Sequence, residues 1–220
     1  MSRELPLPLP PETRTVGQLV GESIRLYGRN LRASLAIGLG PGVVGVLNAE
    51  LDGVARAVVV TVGGTLVWAA AYLAAVVVAT RKPPSASAFA TAVVALLPFL
   101  FQRVLVLPAG DFAVLVLFAL IGLAVPAAVA ERLGVVAALR RGVVLARADF
   151  VHALGSLATL VLVIFLTGAV LVLLLQGVGE STLRVAAFLS LVVLTPLFLL
   201  GAALLYEDQA ARDRVRSESA

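Results

Sequence analysis

The residues best suited to chemistry in this 220-residue chain are His152 and Asp149, which lie three positions apart at the start of a long apolar run. A histidine beside a carboxylate can handle a proton near neutral pH. The alternative is a polar anchor at the end of a membrane span, which we favour. His152 is the single histidine and cysteine is absent, so we expect no catalytic constellation, no metal, no cofactor and no enzyme.

A second candidate site is the stretch GLGPGVVG, residues 38–45, which interrupts the first apolar run with Gly38, Gly40, Pro41 and Gly42. A span broken there would expose helix ends that can bind ions or anionic groups, and this makes a small transporter or permease-like subunit our alternative function. We favour the other interpretation, in which a kinked helix packs closely through Gly38 and Gly42.

The third candidate is a set of arginines on two segments with helical periodicity. Apolar residues recur at i, i+4, i+8, i+11 and i+15 in both segments, with an offset of 119 residues. One face is Val16, Val20, Ile24, Tyr27 and Leu31, and the other is Val135, Leu139, Val143, Ala146 and Phe150, with Val144 and Leu145 on the wetter side. Such helices lie in the membrane interface with arginines at the lipid phosphates. The predicted headgroup or partner contacts are Arg25, Arg29, Arg32, Arg140, Arg141 and Arg147.

The composition predicts the element that positions these residues, a bundle of membrane helices. The chain is 60% hydrophobic and 14% charged, with a mean hydropathy of +1.05, which is far more apolar than soluble domains are. The sequence pI is near 10.3, but the arginines are spread between apolar runs and form no single patch. The expected partners are therefore the lipid bilayer and its anionic phospholipids, with a membrane-protein partner or homo-oligomer possible, and not nucleic acid.

Six apolar runs can be counted, and the distribution of cations orients them. Four are long: Ala57–Thr80, Phe112–Ala130, Ala153–Leu175 and Val185–Tyr206. The two doubtful runs are Ala33–Leu47, which is short, and Ala88–Leu107, which contains Arg103. If all six cross, fourteen of the seventeen cations lie on one side. The positive-inside rule then predicts that both termini lie in the cytoplasm, and we expect the protein in the plasma membrane.

The predicted fold is an all-α, polytopic membrane bundle with six spans and two or three cytoplasmic interfacial amphipathic helices. Each interfacial helix precedes two spans, which suggests a repeated unit of surface helix and helical hairpin. A degenerate third copy is predicted to begin near Ser85 or Ser87. Residues 1–12 form a flexible, Pro-rich N-terminus, residues 13–206 the membrane domain and residues 207–220 a charged cytoplasmic tail.

Three stretches carry a resemblance: VGQLVGESIRLYGRNLRASLAIGL, VPAAVAERLGVVAALRRGVVLARADFVHALGSL and LLYEDQAARDR. They look like the bacterial multispan proteins grouped with the glycerophosphoryl diester phosphodiesterase membrane domain. The positions that match the family pattern are Pro126, Glu131, Arg140 with Arg141, and Asp208 with Arg212. Gly142 and Ala146 depart from it. The resemblance implies a membrane region that can accompany a hydrolase domain, without making this region a hydrolase.

Overall fold

The computed structural model describes residues 10–105, 110–175 and 179–218, and within these ranges the chain is helical with no strand. The helices are α1 (Val16–Arg29), α2 (Leu31–Glu50), α3 (Gly53–Val58), α4 (Gly64–Thr80), α5 (Ala86–Leu105), α6 (Gly110–Ile121), α7 (Ala124–Ala130), α8 (Val135–Ala148), α9 (Phe150–Leu175) and α10 (Glu180–Glu218). A short 3-10 turn, Pro11–Thr13, precedes α1, and a π-helical stretch, Val59–Gly63, joins α3 to α4.

Five stretches of the described chain are long and apolar enough to cross a membrane. They are Leu31–Glu50, Gly53–Thr80, Phe112–Ala130, Phe150–Leu175 and Arg184–Glu218. The sixth predicted span corresponds to α5, of which Ala86–Leu97 is counted as a shorter apolar helix. Arg103 lies outside the residues whose side chains the structure describes, and so does the end of the predicted run at residues 106–107. The described residues confirm the all-helical class, with several helices long and apolar enough to span a membrane. The count of six spans and the crossing by residues 88–107 stay predictions.

The two segments with matching periodicity form helices of equal length. α1 and α8 each have 14 residues, and the starts of α1 and α8, like those of α2 and α9, are 119 residues apart. A capping box begins α1, in which the Thr15 hydroxyl accepts from the Gln18 N–H and the Gln18 side chain accepts from the Thr15 N–H. α1 packs against α9 and α10, whereas α8 packs most closely against α7 and then equally against α6 and α10.

The buried faces of α1 and α8 differ from the predicted ones. Ile24 of the predicted α1 face is 52% exposed, while Leu19 and Ser23 are fully buried. Leu145, predicted on the wetter side of α8, is also fully buried. The physical reason is that small residues make the closest contacts and hydropathy gives them little weight. A Cβ at Gly142 would lie 2.7 Å from the Ala124 nitrogen, so this glycine brings α8 onto α7 and turns Leu145 inward.

The segment predicted as a charged tail continues α10 as far as Glu218, so the helix carries its charged residues directly from the apolar part of the bundle. The predicted Pro-rich N-terminus falls largely on residues 1–9, outside the described residues. The Ser85 hydroxyl accepts from the Ala88 N–H at 3.2 Å and caps α5, which is one continuous helix and not a surface helix followed by a span.

At the break between α6 and α7, a side chain from α4 donates a hydrogen bond to a main-chain carbonyl. Pro126 has no N–H, so the carbonyl of Gly122 lacks its ordinary helical donor four residues on. The hydroxyl of Tyr72, which is fully buried, donates to this carbonyl at 3.0 Å. Beside it the Phe118 ring lies 5.7 Å from the Tyr72 ring and 5.4 Å from the Phe198 ring. These contacts join α4, α6 and α10 in the core.

Candidate functional site

The stretch predicted as a possible broken span is a continuous helix. α2 runs through Pro41, and Gly38, Pro41 and Gly42 are buried in it. A Cβ at Gly38 would overlap the carbonyl oxygen of Val192 in α10, and a Cβ at Gly42 would lie 2.8 Å from the Val192 side chain. Gly38 and Gly42 therefore serve a close helix–helix contact.

The opposite side of this stretch borders a groove between α2 and α4. The groove has a volume of about 490 Å³. Its lining is Ala33, Ala36, Ile37, Gly40, Pro41, Val67, Ala70, Ala71, Ala74 and Val78. None of these described lining residues carries a polar side chain, so the space beside Gly40 and Pro41 suits an apolar occupant. It offers no polar path of the kind that the transporter alternative requires.

The predicted headgroup arginines separate into paired and unpaired ones. Arg141 is paired, because its Nε lies 3.1 Å from Glu131 Oε1 and its Nη1 lies 2.7 Å from Asp213 Oδ2. Partial burial lowers the pKa of Arg141, but the hydrogen bonds and charges of Asp213 and Glu131 outweigh it, so the pKa is raised. The Tyr206 hydroxyl also donates to Glu131 Oε1, at 2.9 Å. Arg141 therefore ties α8 to α10 and to the end of α7.

The other predicted arginines are exposed, and all of them except Arg25 are unpaired among the described residues. Arg25 makes an ion pair within α1, 2.9 Å from Glu22, and its side chain is 42% exposed. Arg29, Arg32, Arg140 and Arg147 are exposed. Within the part of the chain that the structure describes, none of these four side chains has a hydrogen bond or ion pair. They lie on the last turn of α1, the first turn of α2 and along α8.

The structure also contains a buried polar network that the sequence only partly indicated. Arg14 Nη1 lies 2.7 Å from Asp208 Oδ1, and both residues are buried. Arg212 Nη1 lies 2.6 Å from Asp149 Oδ2, and Arg212 Nη2 donates to the Arg14 carbonyl at 2.9 Å. The Gln209 amide donates to the Asp149 carbonyl at 3.0 Å. The network fastens the segment before α1, and the start of α9, to the charged part of α10.

His152 belongs to this network through a different partner from the predicted one. Its backbone N–H donates to Asp149 Oδ1 at 3.0 Å, which caps α9. Its ring points elsewhere, with Nε2 lying 3.6 Å from Asp208 Oδ2 and Nδ1 lying 3.5 Å from Arg212 Nη2. The nearest carboxylate to the ring is thus Asp208, which is 56 positions away and could not be identified from spacing.

Several buried side-chain atoms in this network have no hydrogen-bond partner among the described residues. They are His152 Nε2, Ser156 Oγ, Asp208 Oδ2, Gln209 Oε1 and Arg212 Nε. Buried polar atoms of this kind ordinarily bind ordered water. The described residues contain no group of three or more His, Asp or Glu side chains that could hold a metal ion. The arrangement is suited to holding the chain together at this end of the bundle.

Comparison of the chain with protein-family models, with curated proteins and with solved structures gives no match. The resemblance to the phosphodiesterase membrane-domain family therefore stays a prediction from the sequence. The functional argument depends on what the chain's own side chains are free to bind.

Proposed function

We propose that this chain is a non-catalytic, six-span protein of a bacterial plasma membrane whose exposed arginines engage anionic lipid. In this proposal both termini are cytoplasmic and α1 and α8 lie along the inner leaflet. The five long apolar stretches and α5 support the span count. The lopsided distribution of cations supports the orientation. Membership of the family that the sequence resembles is proposed with it.

One observation carries the lipid-binding function, namely which arginines the fold leaves unpaired. Arg14, Arg141 and Arg212 are held by carboxylates of the protein itself. Arg140, the residue next to Arg141, is exposed and has no partner among the described residues. A guanidinium without a counter-charge beside a membrane binds phosphate oxygens well, and each such cation contributes about 1 kcal/mol at an anionic surface. The unpaired set therefore favours anionic phospholipid.

The test uses the adjacent pair as its own control. The full chain is purified with Arg140→Gln plus Arg147→Gln, and separately with Arg141→Gln. Retention of phosphatidylglycerol against phosphatidylcholine is then counted by native mass spectrometry. The double variant should weaken phosphatidylglycerol retention by about fivefold for each arginine, from about 1 kcal/mol each. Arg141→Gln should keep the lipid and lose thermal stability. Equal phosphatidylglycerol retention by the wild type and the double variant would refute the proposal.

A further inference from the structure

One end of the apolar groove between α2 and α4 lies near the start of α2 and the end of α4. α2 begins at Leu31, α4 ends at Thr80, and the two helices pack side by side. Ala33 and Ala36 line the groove near the beginning of α2, and Ala74 and Val78 line it near the end of α4. The small side chains leave a space of about 490 Å³, within the range of ordinary ligand sites. The groove thus runs toward the ends of the helices that the proposed topology places at the inner leaflet.

Two arginines, Arg32 and Arg81, lie near this end of the groove and are unpaired among the described residues. Arg32 precedes Ala36 by four residues, so it lies one turn before it at the edge of the helix face that lines the groove. Arg81 follows Val78 by three residues and ends α4 in a left-handed conformation, with φ of 55°. Both side chains are exposed and have no partner within the described residues. Lys82 is different, because its Nζ donates to the carbonyl of Ala130 at 2.9 Å.

We propose that this groove, lined by α2 and α4, binds an acyl chain of one anionic phospholipid whose phosphate lies between Arg32 and Arg81. The apolar lining matches the hydrocarbon, and the two arginines match the negative headgroup. Charge complementarity favours this occupant over a neutral lipid, which gives the arginines no counter-charge, and over an apolar helix of another protein. The proposal deepens the proposed function and rests on it for the placement of the arginines at the inner leaflet.

The experiment separates the groove from the general attraction of the arginines. The full chain is reconstituted in nanodiscs with a fixed fraction of phosphatidylglycerol, and tightly retained lipids are counted by native mass spectrometry. Ala74→Phe fills the groove while every arginine remains. Ala158→Phe adds the same ring on an exposed position of α9 as the matched control. Arg32→Gln with Arg81→Gln removes the headgroup contacts without touching the groove.

We expect Ala74→Phe to lose one tightly held phosphatidylglycerol, and Ala158→Phe to bind as the wild type does. The double arginine variant should weaken that lipid about fivefold for each charge removed. Ala74→Phe and the Arg32→Gln, Arg81→Gln variant could both retain this phosphatidylglycerol while Arg140→Gln plus Arg147→Gln loses lipid. In that case the groove site is wrong and the proposed function stands. If the Arg140 and Arg147 variant is unchanged, the proposed function fails by its own test. A lipid-independent dimer that Ala74→Phe dissociates would instead assign the groove to a second copy of the chain.

Discussion

Gly38 of α2 lies directly against the main-chain carbonyl of Val192 in α10. Pro196 explains why this carbonyl is available, because a proline four residues on cannot donate the helical hydrogen bond to it. The missing Cβ of Gly38 lets the two backbones approach until a Cα–H group meets the carbonyl oxygen. Pro196 of α10 and Gly38 of α2 thus act together in one helix–helix contact.

This contact predicts the effect of adding a single methyl group. Gly38→Ala should lower the melting temperature of the protein in detergent, because the new Cβ would overlap a backbone oxygen that cannot move aside. Overpacking of this kind costs about 1–3 kcal/mol or more. Gly21→Ala in α1 is the control, since no heavy atom lies within 4 Å of the Cβ position there. It gains up to about 1 kcal/mol of helix propensity. Equal melting temperatures for the two variants would contradict the packing.

The hydrogen bond between Tyr72 and Gly122 predicts a cost for removing one oxygen atom. Tyr72→Phe keeps the ring in the core and leaves the Gly122 carbonyl without the donor that Pro126 cannot supply. The carbonyl then keeps only the longer hydrogen bond from the Val125 N–H, at 3.4 Å, so the expected cost is that of one lost hydrogen bond, about 0.5–1.5 kcal/mol. Thermal unfolding in detergent measures the loss. Tyr27→Phe should be close to neutral, because the Tyr27 hydroxyl has no partner among the described residues.

The ion pair between Arg14 and Asp208 predicts a larger effect. Asp208→Asn removes the charge that balances the buried guanidinium, and breaking a buried pair costs about 3–5 kcal/mol. Asp52→Asn is the matched control, since Asp52 is exposed and its side chain makes no cap hydrogen bond. Replacing both partners together, Arg14→Met with Asp208→Leu, should recover part of the loss, because neither charge is then left alone. If the double variant loses as much free energy of unfolding as Arg14→Met and Asp208→Leu lose separately and in sum, the ion pair is not the cause.

The local parts of this fold could be predicted from sequence. Periodicity located α1 and α8 and their common offset, because an amphipathic helix repeats its pattern within a few turns. The Pro41 stretch left two interpretations open, since the same glycines suit a broken helix and a tight contact. Only the position of α10 against α2 shows that Gly38 meets Val192.

The long-range parts could not be predicted in the same way. Arg14 and Asp208 are 194 positions apart, so no periodic pattern joins them. His152 was matched with Asp149 because spacing reports only neighbours along the chain, whereas its ring meets Asp208 from another helix. The distinction between Arg140 and Arg141 is likewise invisible in sequence, because it depends on where Glu131 and Asp213 lie.

Arg212 offers a final prediction about how the segment before α1 is held. Its guanidinium donates to the Arg14 carbonyl and pairs with Asp149, so Arg212→Gln should loosen both the 3-10 turn and the cap of α9. Amide hydrogen exchange should become faster at Arg14 and His152, whose N–H groups depend on that geometry.

Arg214→Gln is the control for this variant, because Arg214 lies two residues away on the same helix with an exposed side chain. It should leave exchange at both amides unchanged. If Arg212→Gln also leaves them unchanged, then the Arg14 and Asp208 pair alone holds the segment, and Asp208→Asn should be the variant that releases it. Comparing the two variants thus tells whether the Arg212 hydrogen bond to the Arg14 carbonyl or the Arg14–Asp208 ion pair fastens the N-terminal segment to α10.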